Sequence, residues 1–315
     1  MAKLAVAVIC GVALISQLGR VSPVADFVNN FAPIWLCLGL VALIVGLSLD
    51  PRSAFLRIAL VLMLVCTGDI LGPELFRKTP PYALAGRQRT LRIIQFNLFK
   101  QNQALDRAAM WIAAQHADIV ILEEVLRNSV VLDRLRREFP YGVSCLSAMR
   151  CSTVILSRQK PVDSGGLARG DPENRKAASV AWASFAGPAG PFTVIGAHYQ
   201  HPWPFGDQDS ARSAISATLN DVARDRAIVA GDFNLGPWTF AMSRQDREFA
   251  IPRLTGALAT WPAPTPILPI DHVYAGSAWH LMAIERGPSL GSDHYPLMLV
   301  LSAAEGRPPK WRFHP

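Results

Sequence analysis

The chain has 315 residues, half of them hydrophobic, and a formal net charge of +7. Its positive mean hydropathy argues against a wholly soluble protein. The basic balance admits an anionic partner, such as a phosphodiester or an anionic lipid surface, and equally fits a solvated arginine-rich face.

The apolar excess sits in the first quarter, in three stretches: Leu4 to Leu18, Phe31 to Leu49 and Ala54 to Leu71. A bilayer core needs roughly 20 apolar residues as a helix. The second stretch meets that length without a charge, and the third carries only Arg57 and Asp69, each near an end. Lys3 before the short first run also fits a signal peptide, but no small-residue cleavage site closes that run. We therefore expect residues 1–72 to hold two or three transmembrane helices. Residues 73–90, with their prolines, glycines and basic side chains, read as a linker. Residues 91–303 read as one globular domain, and 304–315 as a tail.

Three spans starting inside place the domain outside the cytoplasm, anchored in the inner membrane as a multi-pass protein. Lys3 and Arg52 fit that sidedness, whereas Arg77, Lys78, Arg87 and Arg89 run against it. Cys10, Cys37 and Cys66 lie in apolar stretches, where a thiol behaves as a small hydrophobe. Cys145 and Cys151 bracket a turn between two expected strands. They form either a hairpin disulfide, which implies an oxidising compartment, or two free thiols.

Within the domain, short Ile/Val-rich runs bounded by turn residues predict buried strands. LRIIQF leads into Asn97, DIVIL into Glu123 and Glu124, FTVIGA into His198, and RAIVA into Asp232 and Asn234. In two further runs the polar residues come first: Asp271-His272 before VYA, and Asp293-His294 before YPLMLVL. If the last two strands run opposite to the first four, all six polar sets meet on one rim. Amphipathic spacing predicts helices over 105–117, 129–139 and 209–225.

Asn97, Glu124 and Asp293 supply side-chain oxygens that suit a hard cation such as Mg²⁺, with Mn²⁺ as the substitute. No Cys/His cluster has zinc-like spacing. Neither a Gly-x-Ser-x-Gly elbow nor a P-loop occurs, which leaves serine hydrolysis and nucleotide-triphosphate motors without support. Taken singly, each polar residue is explained by an Asx turn or a loop; their joint order is what points to attack of water on phosphorus.

The motifs QFNL (95–98), DIVILEEV (118–125), CSTVILSR (151–158), AHYQHP (197–202), GDFN (231–234), IDH (270–272) and SDHYP (292–296) resemble, in order, those of the endonuclease/exonuclease/phosphatase superfamily. The resemblance spans about Leu91 to Leu301 and suggests a membrane-anchored bacterial-type member. It implies a four-layer αββα sandwich with two mixed sheets and an active site at one rim. Carried over by position, it makes Glu124 the chief Mg²⁺ ligand, with Asn97 and Asp293 near the metal. Asp232 would orient or deprotonate the attacking water, and Asn234 would hold a phosphoryl oxygen. His294, its tautomer fixed by Asp271, would stabilise the transition state or act as base, and His198 would assist the leaving group.

Glu123 departs from the family's usual glutamine, which adds a negative charge beside the expected metal. The features of abasic-site endonucleases are missing. The resemblance thus implies hydrolysis of a phosphodiester or phosphomonoester, in nucleic acid or a lipid headgroup, with tethering favouring lipid. An inactive membrane-tethered scaffold of the same fold is the alternative, opposed by the intact Glu124, His198, Asp232 and His294. The loops 201–209 and 260–269, rich in proline and tryptophan, would either stack substrate or simply pack.

Overall fold

Among the described residues, the first quarter of the chain folds into four α-helices: α1 (Ala2–Gln17), α2 (Pro23–Asn29), α3 (Ala32–Leu49) and α4 (Ala54–Leu75). The computed structural model describes residues 2–77, 90–126, 129–145, 152–167, 178–187, 190–202 and 207–303. Proline opens the first turn of both α2 and α3, where its missing N–H costs nothing. The Ser22 hydroxyl caps α2 by accepting from the Ala25 amide at 3.4 Å.

Helices α1, α3 and α4 each pack against the other two, burying Val6, Ala13, Leu36, Leu43, Leu56, Met63 and Ile70. Their outer faces are apolar as well: Leu4, Val41, Ile58 and Val65 are 60–70% exposed. An amphipathic surface helix would place polar residues there. All three helices are long and apolar enough to cross a membrane. Charges gather at their ends, where Lys3 pairs with Asp50 at 2.8 Å and Arg20 with Asp69 at 2.6 Å. Arg57 reaches back to the Arg52 carbonyl at 2.9 Å.

The sheet-bearing unit follows in the order β1 (Thr90–Asn97), α5 (Leu105–Ala114), β2 (Ile119–Glu123), α6 (Val130–Leu135), β3 (Tyr141–Ser144) and β4 (Val154–Ser157). It continues with β5 (Asp163–Leu167), β6 (Ser179–Phe185), β7 (Phe192–His198), α7 (Asp207–Asp221), β8 (Ala227–Asp232) and α8 (Phe240–Phe249). It closes with β9 (Asp271–Ala275), β10 (Trp279–Arg286) and β11 (Leu297–Ala303). One sheet has the order β10-β11-β1-β2-β4-β3 and the other β5-β6-β7-β8-β9. Both are mixed, because β1 runs parallel to β2 and β7 parallel to β8. Strands β9 and β11 are antiparallel to their neighbours β8 and β1, the reversal expected for the last two rim strands.

Strand alternation builds the layers. Ile93, Ile119 and Ile121 from one sheet meet Val194, Ile228, Ala230 and Val273 from the other in a common core. Ile94, Phe96, Val120 and Leu122 point the opposite way, onto Ala108 and Ile112 of α5 and Val131 and Leu135 of α6. Helix α7 packs on β6 and β7. Both central strand pairs are thus covered on two faces, which is why their sequences read as continuous apolar runs.

All three expected helices differ in extent, and α5 ends at Ala114 rather than 117. Helix α6 ends at Leu135 rather than 139 because the chain must turn before Pro140 into β3, with Phe139 buried beneath it. Helix α7 lies two residues upstream of its expected start and ends at Asp221. The expected linker begins with the last turn of α4, which carries Pro73. The remainder of that linker from residue 78 to 89, and the tail from 304, lie outside the described residues. Strands β3 and β4 form the expected hairpin. Cys145 at its end is disulfide-bonded, and Cys151 lies outside the described residues.

One grouping has no precedent in the periodicity. Leu235–Arg247 clusters with the first 78 residues, and the rest of the chain forms the second unit. Asn30 accepts from the Gly236 amide at 2.7 Å, and its carbonyl accepts from the Trp238 indole at 3.2 Å. The Asp26 carboxylate accepts from the Phe240 and Ala241 amides at 2.9 and 2.7 Å. These are the first, otherwise orphaned amides of α8, so Asp26 caps a helix more than 200 residues away in sequence.

Candidate active site

Alternation along the strands decides where the polar residues go. On β1, Gln95 and Asn97 share a face with Ile93; on β2, Glu123 shares one with Ile119 and Ile121. On β7, β8 and β9, His198, Asp232 and Asp271 continue the faces of Val194, Ala230 and Val273. The site is therefore the polar end of the inter-sheet core.

Glu124 leaves this alternation because its backbone is left-handed, with φ of 54°. Phe99 and Asn234, at the ends of neighbouring strands, are also left-handed, with φ of 58° and 50°. Each such residue costs about 1–3 kcal/mol, and strain of this kind gathers at functional rims. The Glu124 carboxylate accepts from the Lys100 amide at 3.1 Å and the Asn97 amide group at 3.3 Å. Burial pushes its carboxyl up, but the Lys100 amide, His198 and Asn97 outweigh that and leave it below its usual range.

Asp232 is the hub. Its Oδ2 accepts from Asn97 Nδ2 at 2.9 Å and lies 3.6 Å from His294 Nε2 and 3.7 Å from His198 Nε2. Its Oδ1 accepts from the Asn234 amide at 2.9 Å. Burial, aided by Asp271 and resisted by His294 and His198, raises the Asp232 carboxyl to about 6.

His294 is held by Asp271, with Nδ1 to Oδ2 at 2.8 Å. Burial disfavours its charged form, yet Asp271 and Asp232 more than compensate and lift it to about 10. His198 responds the other way: burial lowers it, with only partial relief from Asp232 and Glu124. The two histidines thus differ at neutral pH, His294 as imidazolium and His198 as neutral imidazole.

All eight expected residues reach this rim. Asn97 turns its amide nitrogen toward Glu124 and Asp232, and its oxygen accepts from the Phe99 amide at 2.9 Å. Asn234 spends its side-chain nitrogen on the Tyr199 carbonyl at 2.9 Å. Asp293 accepts from the Trp261 indole at 3.1 Å through Oδ2, and its buried Oδ1 has no hydrogen-bond partner.

Glu123, where the family has glutamine, sits in the dry interior: burial first, then Asp271 and Asp232, push its carboxyl well up from its usual range. It lies fully buried against Gln95, whose amide donates to Glu123 at 3.1 Å and to Asp271 at 2.8 Å. Gln95 and Thr260, which donates to Asp271 at 2.6 Å, were not singled out from sequence. For Gln95 the signal existed, since it sits two residues before Asn97 on the same strand face. Thr260 opens the tryptophan-rich loop, which braces Asp293 and Asp271 from outside the sheets. Residues 203–206 of the other such loop lie outside the described residues.

Gly231 admits the close approach of β8 to β7. A Cβ there would sit 1.8 Å from the Ala197 carbonyl oxygen, and neither backbone can yield. Gly231→Ala is expected to destabilise the protein by roughly 3–5 kcal/mol, read as a lower denaturation midpoint; an unchanged midpoint would contradict this packing.

Two face-to-face mixed sheets with helices, ending in a rim of carboxylates and imidazoles, define a fold of phosphoric-ester hydrolases. Residues 94–294 match the Endonuclease/Exonuclease/phosphatase family, and the chain belongs to it. Members of this family are generally hydrolases of phosphoester bonds and generally depend on a divalent metal.

Solved structures share the fold at low identity. An endonuclease/exonuclease/phosphatase from Bacteroides vulgatus is 19% identical with a TM-score of 0.56, over 69% of this chain and 100% of that one. One from Beutenbergia cavernae is 18% identical with a TM-score of 0.55, over 69% and 72%. The human Nocturnin catalytic domain, solved with a bound sulfate anion, is 16% identical with a TM-score of 0.55, over 70% and 97%. No curated protein sequence matches the chain significantly.

Proposed function

We propose that the protein is a membrane-anchored, metal-dependent phosphoric-ester hydrolase in which Asp232 activates water beside an imidazolium His294. The observation that carries this is the position of Asp232 Oδ2, between the two histidine Nε2 atoms at 3.6 and 3.7 Å. Asp232 takes a proton from water as its oxygen attacks phosphorus. The imidazolium of His294, oriented by Asp271, donates to a phosphoryl oxygen as charge develops there. His198 donates a hydrogen bond through Nε2–H to the departing oxygen, which takes its proton from solvent as the P–O bond breaks while Asp232 returns its own proton to solvent. Asn234 exchanges its Tyr199 partner for a phosphoryl oxygen. The bound sulfate of the Nocturnin domain supports a tetrahedral oxyanion as the class of ligand for this fold.

The donor set fits a hard cation. Glu124, Asn97 and Asp293 would hold Mg²⁺ or Mn²⁺ through oxygen; the orphaned Asp293 Oδ1 supports this, and the Asn97 oxygen keeps a second lone pair. When bound, the cation offsets negative charge on the phosphoryl oxygens. Asp232, Asp271 and His294 also offer ligand atoms within 4.8 Å of one another. Because His294 Nδ1 is already bonded to Asp271, we assign that trio to proton handling.

The three apolar helices support a multi-pass anchor, and the disulfide at Cys145 supports an extracytoplasmic domain. Substrate is a phosphodiester or phosphomonoester of nucleic acid or a lipid headgroup. The test is hydrolysis by the full-length chain in neutral detergent, with Mg²⁺ or EDTA. The panel holds bis-p-nitrophenyl phosphate, plasmid DNA, sphingomyelin and an inositol phosphate. EDTA-sensitive turnover of one of them selects the branch; a folded protein inert on all four, or active in EDTA, counts against the proposal.

A pH dependence follows. Asp232 must be ionised to accept a proton, so kcat/KM is expected to fall as pH drops through about 6. A nearby cation favours the ionised form and moves this limb lower. An acid limb at pH about 8 would exclude Asp232 as the base.

A further inference from the structure

The helical unit carries a polar cavity of its own. It has a volume of about 280 Å³, and its walls include Arg20, Asp69, Trp238, Phe240, Arg244 and Arg247. That lies just below the roughly 300–1,000 Å³ of small-molecule sites, enough for a headgroup fragment.

The three arginines are not equivalent. Arg20 is fixed, since its Nη2 meets both Asp69 oxygens at 2.6 Å and its guanidinium lies 4.5 Å from the centre of the Phe240 ring. Arg244 donates to the Arg20 carbonyl at 3.3 Å and feels the Asp26 carboxylate, which is itself engaged with the α8 amides. Among the described residues, exposed Arg247 forms no ion pair. Three guanidiniums therefore line a cavity with one carboxylate in its wall, and two of them keep unspent donors. Planar forks of this kind suit phosphate oxygens.

The cavity's place in the fold selects the source of the phosphate. Arg20 follows α1 and Asp69 lies in the last part of α4, so the pair marks where two apolar helices end together. Ile70, Pro73, Trp238 and Phe240 give the cavity an apolar side beside its charged one. A basic pocket at the ends of spanning helices, flanked by an indole, is matched to the headgroup layer. We infer that this cavity binds the phosphate of an anionic membrane lipid, held by Arg244 and Arg247 above the Arg20–Asp69 pair. The lipid assignment rests on the membrane reading of α1, α3 and α4; it is separate from the catalytic rim.

The test titrates full-length protein in neutral detergent with short-chain phosphatidylglycerol, short-chain phosphatidylcholine and inorganic phosphate, by calorimetry. Phosphatidylglycerol is expected to bind saturably and more tightly than the other two. Arg247→Ala should weaken it by about tenfold, and Arg244→Ala with Arg247→Ala should abolish it. Binding unchanged in the double variant overturns the site. Inorganic phosphate binding as tightly, with the same arginine dependence, overturns the lipid as ligand. Flotation with neutral phosphatidylcholine vesicles checks the anchor independently of the arginines. Failure to float overturns the membrane reading and with it the lipid. Flotation without arginine-dependent binding overturns the cavity alone.

Discussion

Asp232→Asn is expected to lower turnover by about 10²–10⁴-fold, the usual worth of a positioned base. The new side chain can still accept from the Asn234 amide, as Oδ1 does now at 2.9 Å. Its other end places an NH₂ group against Asn97 Nδ2, where a 2.9 Å hydrogen bond stands at present. Donor facing donor should cost about 1–3 kcal/mol of stability, so the denaturation midpoint has to be measured beside kcat. A second readout separates catalysis from packing. His294 is lifted to about 10 by Asp271 and Asp232 together. Losing the Asp232 charge lowers it, so any alkaline limb of the residual activity should move to lower pH. A folded variant with full turnover would remove Asp232 from the role of base.

Glu124→Gln is expected to raise the cation concentration needed for half-maximal activity by about 10²-fold or more. Residues that only support a ligand already cost 10–100-fold in metal affinity. The substitution keeps the shape, and an amide oxygen can still accept from Lys100, which donates to Glu124 at 3.1 Å. What it removes is the charge, in a carboxylate that the Lys100 amide, His198 and Asn97 hold ionised against burial. The effect should therefore appear chiefly in a metal titration. The new NH₂ group faces the Asn97 amide, which now donates to Glu124 at 3.3 Å, so the melting temperature in EDTA is expected to fall modestly and is measured beside it. A variant with wild-type metal dependence would move the cation elsewhere on the rim, toward Asp293 or the Asp232 cluster.

The central strands were readable because both faces are buried, which leaves apolar runs ending abruptly in polar residues. IVILE and AIVAGD are buried throughout and became β2 and β8. Strands β5, β6 and β10 carry no such run. DSGGL lacks a side-chain pattern, SVAWASF mixes small residues, and WHLMAIER is half exposed on an edge. Their pairing is set by neighbours in the sheet.

The candidate site divides along the same line. By itself the sequence determined the polar residues at the strand ends, their order along the chain and the apolar stretches ahead of them, because strand and helix periodicity are local properties. Tertiary structure decided the protonation of those residues and their partners. Burial first, then Asp271 and Asp232, push the Glu123 carboxyl well up from its usual range, and neither aspartate is adjacent in sequence. Gln95 meets Asp271 across 176 positions of sequence. Asp26 and Asn30 capture Leu235–Arg247 from more than 200 positions away. Burial and charge interaction depend on distance in space, and no local pattern of residues records that distance.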